Sequence, residues 1–565
     1  MNHILNYDGY RLFQASFDPD EKGTVLSVNH DFWGTWITYV GYGFLYLGLL
    51  AILIDRNSRF GKLRARLKKL QKRKAQILTV FMLLLAPFGF AQGYQDNHDH
   101  EVQEVQNTAI SNENDHQHQI VKLKEEYVDS VIISRAVSKA HADKFAHLII
   151  QDQGRMKPIN TFASELLRRV SQRNHYKGLD PNQVFISMSE EPMHWLHAPL
   201  IYLPRGNDSI RKVIGVDQST TRVALIDFFD SQGNYKLSEA LERASKKTNP
   251  SQFEKDFLKA HENYYLLNLA LSGGILKIFP EPQSPNNKWI SRMELNESNF
   301  QGQDSLFVKN VLPLYYHSIK EARQTGDYTQ AELLLDGIHK FQQRFGSEVI
   351  PSDSKIQMEV VYNKLDIFNR SYKILLLLGV VMFILVIAQI FRDSKPIRIS
   401  LNILKYLNWV LLIALTAGLI NRWYVSGHMP LSDAYESVLY VAWATILFGL
   451  IMGRKSHLTI ASTAFVGAIV LWVAHLNWMD PAISTLEPVL DSYWLMIHVS
   501  VIVMSYGPFT LGFILGSVAM LLTILTNEKN KRKMNLHIQE LTIINEMALT
   551  VGLVLLTIGH FLGGQ

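Results

Sequence analysis

The feature that most constrains this sequence is a series of long apolar runs separated by short basic loops. A helix needs about 20 mostly apolar residues to cross the hydrocarbon core of a membrane. Runs of roughly that kind occupy 37–54, 76–92, 373–391, 406–420, 437–453, 458–475, 495–525 and 542–562. The pattern predicts a polytopic α-helical membrane protein of about eight transmembrane helices with one large polar insertion.

Positive charge alternates between the segments that join these runs. The loop 55–75 holds ten Lys or Arg residues, and basic residues recur in loops 392–405, 454–457 and 527–535. Because Lys and Arg are retained on the cytoplasmic side, these four loops are predicted to be cytoplasmic. The outer segments are then 1–36, 93–372, 421–436, 476–494 and the C-terminus.

The chain is therefore predicted to contain six regions. They are 1–54 with the first span, the basic loop 55–75, the second span 76–92, a polar tether 93–124, an external mainly helical domain 125–372, and six spans in 373–565. The run at 76–92 could be misread as a signal peptide, but its place after another span favours a membrane pass. The tether carries His98, His100, His116 and His118, for which a solvated linker is favoured over adventitious metal binding.

The external region shows helical periodicity but no motif that names a reaction. Residues 234–345 are predicted to be mainly helical, and Asn160 or Thr161 is predicted to cap an earlier helix. His194 and His197 lie three residues apart, and packing is favoured over metal binding because no carboxylate stands at ligand spacing. The region contains no nucleotide-binding glycine loop, zinc signature or nucleophile elbow. It is predicted to be a helical scaffold or a module that docks a partner.

The sequence contains no cysteine. Structural disulfides, thiolate metal sites and cysteine nucleophiles are therefore excluded. If the protein takes part in thiol chemistry, the thiols belong to a partner. The net charge of +5 comes from the basic loops, so it indicates membrane topology and no nucleic-acid partner.

His498 lies near the outer end of the seventh apolar run, one helical turn from Trp494. An ionisable side chain in a membrane segment is costly and usually faces protein or a cavity. A hydrogen-bonded histidine at a helix–helix contact is one interpretation. An axial ligand of heme iron is the other, because neutral imidazole suits that role and an aromatic neighbour suits a flat macrocycle.

The flanking outer loops are rich in aromatic and imidazole side chains. The predicted topology gathers Trp423, Tyr424, His428, Trp472, His475, Trp478, Tyr493, Trp494 and His498 on one face. Such a concentration exceeds what an interfacial aromatic belt needs. It predicts a site for a large, planar, amphipathic ligand.

Three segments of the membrane region resemble the CcsA (ResC) family of cytochrome c assembly proteins: GHMPLSDAYESVLYVAW, LEPVLDSYWLMIHVSVIVMSYGPF and INEMALTVGLVLLTIGHFLGG. The N-terminal GYRLFQASFDPDEKGTVLSVNHDFWGTWITYVGY resembles the end of the ResB (CcsB) family. A chain with both resembles the fused system II cytochrome c synthetases, CcsBA. The N-terminal likeness covers about 45 residues and the C-terminal likeness about 160.

This resemblance implies a specific function. The family carries heme b to the outer face of the bacterial inner (cytoplasmic) membrane, where the large domain would be periplasmic. It then attaches heme to the Cys-x-x-Cys-His motif of apocytochrome c, a holocytochrome c synthase-type lyase activity expected of the complete protein. His498 matches the family's first external histidine, an axial ligand of heme iron. Trp494 is predicted to contact the heme, with weaker candidates in Trp478, Trp423, His428 and His475. A thiol-reducing partner is also implied.

The resemblance also implies missing parts. The family's tryptophan-rich heme loop would begin after the span that contains 551–562, and two further histidine ligands would follow it. Another ligand would precede Met1. We therefore expect the chain to be truncated at both ends relative to the family.

The attachment reaction needs no strong acid or base, and the sequence predicts no catalytic residue. Outer-loop acids Asp433, Glu436, Asp480 and Glu487 are interpreted as a solvated rim. Two alternatives to the synthetase remain: a heme exporter or chaperone without attachment activity, and a cofactor-free membrane scaffold. A solute transporter is disfavoured, because polar residues and repeated halves are not seen within the spans.

Overall fold

The computed structural model describes residues 5–17, 23–83, 122–391, 394–476, 479–486, 492–528 and 530–563. The chain forms two compact units. Residues 1–87 and 364–565 form the first, here called the membrane unit, and residues 88–363 form the second, the middle unit.

The membrane unit begins with a small antiparallel sheet and continues with long helices. The strands are β1 Leu5–Tyr7, β2 Tyr10–Phe17 and β3 Thr24–Asn29, paired in the order β1-β2-β3. The helices are α1 Phe32–Ile54, α2 Arg59–Leu83, α14 Ile367–Phe391, α15 Lys395–Ser426, α16 Ala434–Met452, α17 His457–Ala474, α18 Tyr493–Ile524 and α19 Lys531–Gly563.

Seven helical segments among the described residues are long and apolar enough to cross a membrane. The first extends over Phe32–Lys74, the second over Asp353–Gln389, and the other five coincide with α15 to α19. The polytopic membrane architecture is thus confirmed. The predicted span at 76–92 is described only to residue 83, where it continues α2; residues 84–92 lie outside the described part.

The membrane helices extend beyond the apolar runs that mark them. The predicted loop 55–75 is largely the first part of α2, and α15 begins at Lys395, inside the predicted loop 392–405. Hydropathy identifies only the apolar length of a helix, whereas the backbone hydrogen bonds continue into water as long as no proline or glycine ends them. The basic segments 59–75 and 395–405 are therefore helical, whereas Arg454 and Lys455 lie in the turn between α16 and α17.

Small residues bring the membrane helices close together. A Cβ added to Gly379 of α14 would lie 2.8 Å from the backbone nitrogen of Phe465 on α17. A Cβ at Gly507 of α18 would lie 2.6 Å from that of Ala444 on α16. Close packing at glycine is a main source of association between helices in a membrane, so these contacts hold α14, α16, α17 and α18 in one bundle.

The described part of the middle unit, residues 122–363, is mainly helical and contains three two-stranded antiparallel sheets. Its strand pairs are β4 Ile149–Asp152 with β5 Arg155–Pro158, β6 Ile201–Tyr202 with β7 Arg222–Val223, and β8 Phe279–Pro280 with β9 Trp289–Ile290. Its helices are α3 Glu125–Ser134, α4 Lys139–Phe145, α5 Ile159–Ser171, α6 Pro181–Glu190, α7 Pro192–Trp195, α8 Asp208–Ile214, α9 Ser238–Ser245, α10 Gln252–Ser272, α11 Gly302–Thr325, α12 Thr329–Gly346 and α13 Asp353–Leu365.

Two sequence predictions for the middle unit can be compared with its structure. Helices α9 to α12 occupy most of 234–345, as predicted, and α12 ends one residue beyond it at Gly346. The predicted cap at Asn160 or Thr161 is wrong, because α5 begins at Ile159 and is preceded by Pro158. Both polar side chains are instead buried: Asn160 donates to Asn182 at 3.1 Å, and Thr161 donates to Glu359 at 2.8 Å.

His194 and His197 contact protein groups of the middle unit. His194 Nδ1 lies 3.1 Å from a carboxylate oxygen of Glu191. His197 Nδ1 accepts a hydrogen bond from the backbone nitrogen of Leu123 at 3.3 Å. Burial lowers the pKa of His197, which favours the neutral acceptor form. The predicted tether histidines at 98, 100, 116 and 118 lie outside the described residues.

Candidate functional site

His498 lies in the second turn of α18, whose first turn is capped by Ser492. The Ser492 hydroxyl accepts a hydrogen bond from the backbone nitrogen of Leu495 at 3.5 Å. Tyr493 and Trp494 follow the cap, with 77% and 58% of their surfaces exposed. A serine cap followed by exposed aromatics is what an interfacial helix end requires.

The imidazole of His498 is oriented by its own helix. His498 Nδ1 lies 3.1 Å from the carbonyl oxygen of Trp494. A carbonyl can only accept, so Nδ1 carries the proton and the lone pair of the neutral ring is on Nε2. A metal-binding histidine is commonly oriented in this way by a hydrogen bond from its other nitrogen. This contact involves the backbone of Trp494 and not its indole, so the predicted contact of the indole with a macrocycle stays a prediction.

Gly563, at the end of α19, leaves room for the His498 ring because it has no side chain. A Cβ at Gly563 would lie 3.0 Å from Cδ2 and 3.2 Å from Nε2 of the ring. One turn earlier, a Cβ at Gly559 would lie 2.5 Å from the side chain of Ile502 on α18. The two glycines let α18 and α19 approach closely, and a side chain at 563 would press on the nitrogen that is available to a ligand.

Other histidines at helix ends show the same local hydrogen bond. His475 Nδ1 lies 2.7 Å from the carbonyl of Leu471, and His560 Nδ1 lies 2.8 Å from that of Leu556. The Nδ1 contact is therefore a property of histidine in a helix and does not single out His498. What distinguishes His498 is the adjacent Gly563 together with its position between the exposed Trp494 and the α18–α19 contact.

His475 is enclosed more completely than the sequence indicates. Its ring centroid lies 5.4 Å from that of Tyr372 on α14 and 6.1 Å from that of Tyr435 on α16. The contacts join the ends of α14, α16 and α17, so His475 packs this end of the bundle.

The remaining predicted site residues lie at the ends of α15 and in the loops. His428 follows the end of α15, and its Nε2 lies 3.5 Å from the carbonyl of Ser484 in the loop 479–486. Trp423 is 51% exposed. Trp478 lies outside the described residues. The described contacts thus link His428 and His475 to α14–α17 and their loops, and link His498 to α19.

A buried ion pair, which the sequence does not predict, organises the loops that follow α15 and α17. Arg422 and Glu436 have side chains that are 0% and 1% exposed, with Nε to Oε1 at 2.5 Å. Arg422 also donates to the carbonyls of Pro481 and Ala482, at 2.9 and 3.0 Å. One guanidinium thereby joins the end of α15, the start of α16 and the loop between α17 and α18.

The carboxylate of Glu436 also accepts several hydrogen bonds. Its second oxygen accepts from the backbone nitrogen of Ser432 at 2.9 Å and from the Ser432 hydroxyl at 2.7 Å. Asp433 caps α16 by accepting from the Glu436 nitrogen at 2.7 Å. A charge held this way inside a membrane protein needs both its partner and its hydrogen bonds.

The interpretation of the outer acids as a solvated rim is therefore wrong for Glu436. That residue is inside the protein because Arg422 compensates its charge. Asp433 is half-buried, and burial raises its pKa. Asp480 is exposed and accepts from the nitrogen of Ala482 at 3.0 Å, and Glu487 lies outside the described residues. The sequence signal was available in Arg422 and Glu436, which are opposite charges at the ends of two consecutive spans.

Comparison with known proteins relates this site region to cytochrome c biogenesis. The family model described as Cytochrome C assembly protein matches residues 431–565. CcsA, the cytochrome c biogenesis protein of Prochlorococcus marinus, is 41% identical to this chain over 115 residues, which is 20% of this chain and 36% of CcsA. CcsA of Ranunculus macranthus is 37% identical over 122 residues, again 20% of this chain and 36% of CcsA.

One relative aligns with the entire chain. Protein NrfI of Wolinella succinogenes is 35% identical over 580 aligned positions, which cover 100% of this chain and 58% of NrfI. The chain thus spans little more than half the length of NrfI and about a third of the length of the CcsA relatives. The similarity to NrfI includes the N-terminal sheet and the middle unit, neither of which lies in the region of the family-model match.

Proposed function

We propose that this chain, a relative of cytochrome c biogenesis proteins, binds heme at the outer ends of α18 and α19 and presents it for attachment to apocytochrome c. The observation that carries the proposal is His498. It lies within the matched residues 431–565, its Nδ1 is held by the carbonyl of Trp494, and its Nε2 borders a glycine. Heme is here the substrate.

The residues around His498 fit an iron porphyrin. A neutral imidazole with a free Nε2 is a suitable axial ligand. The exposed indole of Trp494 and ring of Tyr493 offer flat apolar surfaces one turn away. Trp423, His428, His475 and Trp478 belong to the same proposed face, where they would contribute to loop structure or to contact with the macrocycle.

We further propose the fused architecture of system II. Residues 9–42 resemble the end of ResB, and the match to NrfI over the entire chain supports a single protein that carries both regions. The alternation of basic loops then places the middle unit in the periplasm and the chain in the bacterial inner membrane. The proposed substrate is heme b, because attachment consumes its vinyl groups.

The chemistry of attachment explains why a catalytic dyad is not required. Each cysteine of the apocytochrome motif adds across one heme vinyl group, so that a carbon–sulfur bond forms and the thiol hydrogen moves to the vinyl carbon. No leaving group is released and no net oxidation occurs. The protein gains most by holding the two reactants together. The apocytochrome supplies reduced thiols, which requires a separate thiol reductant, since this chain has no cysteine.

The test is cytochrome formation in living cells. The complete gene would be expressed in a bacterial host that lacks its own cytochrome c assembly system, together with a reporter apocytochrome that contains Cys-x-x-Cys-His. We expect covalent heme on the reporter, its loss in His498→Ala, and no change in His317→Ala, a control at an exposed histidine of the middle unit.

The same experiment separates the proposed function from its two alternatives. A heme exporter would give periplasmic heme but no covalent reporter unless another attachment enzyme is added. A cofactor-free scaffold would give neither, and His498→Ala would behave like the wild type. Covalent heme that forms equally well in His498→Ala would contradict the proposed role of His498.

A further inference from the structure

Helix α2 is amphipathic, with one apolar face and one cationic face. Its buried positions Phe60, Leu63 and Leu67 recur at spacings of three and four residues, which places them on one face. Exposed cations occupy the other face and its flanks: Lys62, Arg64, Arg66, Lys68, Lys69, Lys72 and Arg73. After Asp55, no acidic residue occurs before Asp96.

The apolar face of α2 is already occupied by α19 of the same unit. At the edges of this contact, Arg59 forms an ion pair with Glu546, and Lys74 forms one with Glu540. Lys74 Nζ also lies 2.9 Å from His537 Nδ1. The two acidic residues of α19 are therefore engaged by Arg59 and Lys74, which do not belong to the seven exposed cations.

The exposed cations lie next to a membrane span. Helix α1 ends at Ile54, and α2 begins at Arg59 after a link of four residues. A chain segment this short keeps the start of α2 within about 15 Å of the membrane boundary. Anionic phospholipids give the cytoplasmic leaflet a negative surface potential, and a juxtamembrane cluster of four or more Lys or Arg residues is attracted to it.

We infer that the basic face of α2 binds the headgroups of anionic phospholipids. The apolar face is covered by α19, so the helix does not insert sideways as a free amphipathic helix would. Its cations face the headgroup layer, and its apolar face stays packed against α19. Lipid binding would stabilise the α2–α19 contact, and through it the helix that carries Gly563. The proposal concerns the inner side and does not rest on heme binding.

Lipid retention by the purified protein tests this inference. The full chain in a mild detergent would be incubated with mixed phosphatidylcholine and phosphatidylglycerol micelles and re-isolated, and the bound lipids would be quantified by mass spectrometry. The wild type should retain phosphatidylglycerol in preference to phosphatidylcholine. A variant with Lys62, Lys69, Lys72 and Arg73 changed to Gln should retain at least threefold less phosphatidylglycerol.

A matched control removes the same charge elsewhere. Changing the exposed middle-unit residues Lys212, Lys255, Lys259 and Lys340 to Gln should leave retention unchanged. Equal retention in the α2 variant, or an equal loss in both variants, would overturn the inference.

Two further measurements test the inference even if the α2 glutamine variant does not fold. In the wild type, 0.5 M salt should release the phosphatidylglycerol, because exposed charges are screened. Changing Lys62, Lys69 and Lys72 to Arg should preserve lipid binding. Retention that resists salt would contradict the proposal. So would displacement of the lipid by a short RNA, which would assign the face to nucleic acid.

Discussion

Replacing Arg422 by Met should uncouple the start of α16 from the loop 479–486 and strongly destabilise the membrane unit. The guanidinium is fully buried and has three described hydrogen-bonding partners, which are the Glu436 carboxylate and the carbonyls of Pro481 and Ala482. Removing one member of a buried ion pair costs about 3–5 kcal/mol because the other charge remains without compensation. The two carbonyls each add about 1 kcal/mol or more if water does not reach them.

The double variant Arg422→Met with Glu436→Leu separates charge from loop anchoring. Replacing both members of a buried pair by apolar residues is often neutral, so most of the loss of stability should be recovered. The carbonyls of Pro481 and Ala482 would still lack their donor. The loop 479–486 should therefore remain more susceptible to proteolysis than in the wild type.

The assay is the free energy of unfolding of the detergent-solubilised protein, followed by limited proteolysis. Arg454→Met is the control, because Arg454 is exposed in the loop between α16 and α17 and its loss should change stability by no more than about 0.5 kcal/mol. A loss below about 1 kcal/mol in Arg422→Met, or no recovery in the double variant, would refute this account of the pair.

Three other predictions concern single positions. Gly563→Leu should reduce heme retention several-fold in a pulldown on hemin-agarose, because the new side chain meets Nε2 of His498; unchanged retention would show that this edge of the ring is not used. Glu359→Ala should lower the stability of the middle unit by about 3 kcal/mol, because Arg155, 2.7 Å from the Glu359 carboxylate, would lose its buried partner. A loss of less than about 1 kcal/mol in urea unfolding would contradict this. Burial lowers the pKa of His141 to about 4, so the stability it confers as a neutral ring is complete above about pH 6.5 and is lost as pH falls towards 4. The melting temperature of His141→Gln should fall less over that window than that of the wild type, and parallel curves would exclude His141 as the titrating group.

The long apolar runs made the membrane helices predictable, and the alternation of basic loops predicts their orientation. His475, Tyr372 and Tyr435 meet at one end of the bundle. At the basic ends, His457 Nε2 lies 3.2 Å from Asn402 Oδ1. These contacts group the helix ends as the succession of spans predicts, and the side of the membrane that each group faces stays a prediction.

Features that depend on pairing between distant residues were not predicted. The sheet of Leu5–Tyr7, Tyr10–Phe17 and Thr24–Asn29 is short, and its described side chains are largely exposed. It therefore lacks the alternation of buried and exposed positions that identifies a strand. The buried state of Glu436 depends on Arg422, fourteen residues earlier and on another helix. An acid near a span end looks like a solvated residue until its partner is located.

The candidate ligand was found from sequence, whereas its surroundings were not. His498 stood out as an ionisable residue in an apolar run, and the resemblance to CcsA gave it a role. Gly563 did not stand out, because a glycine at a helix end has ordinary explanations in capping. Its importance follows only from the distance between a Cβ at that position and the His498 ring.

The central claim is that His498 binds heme iron, and the absorption spectrum of the purified protein tests it most directly. The wild type, isolated from cells in detergent, should show a Soret band, and His498→Ala should lose most of it. Adding imidazole should restore the band, because a small ligand can occupy the space left by the side chain. His317→Ala should match the wild type. A wild-type protein without a Soret band, or a band that persists unchanged in His498→Ala, would contradict the claim.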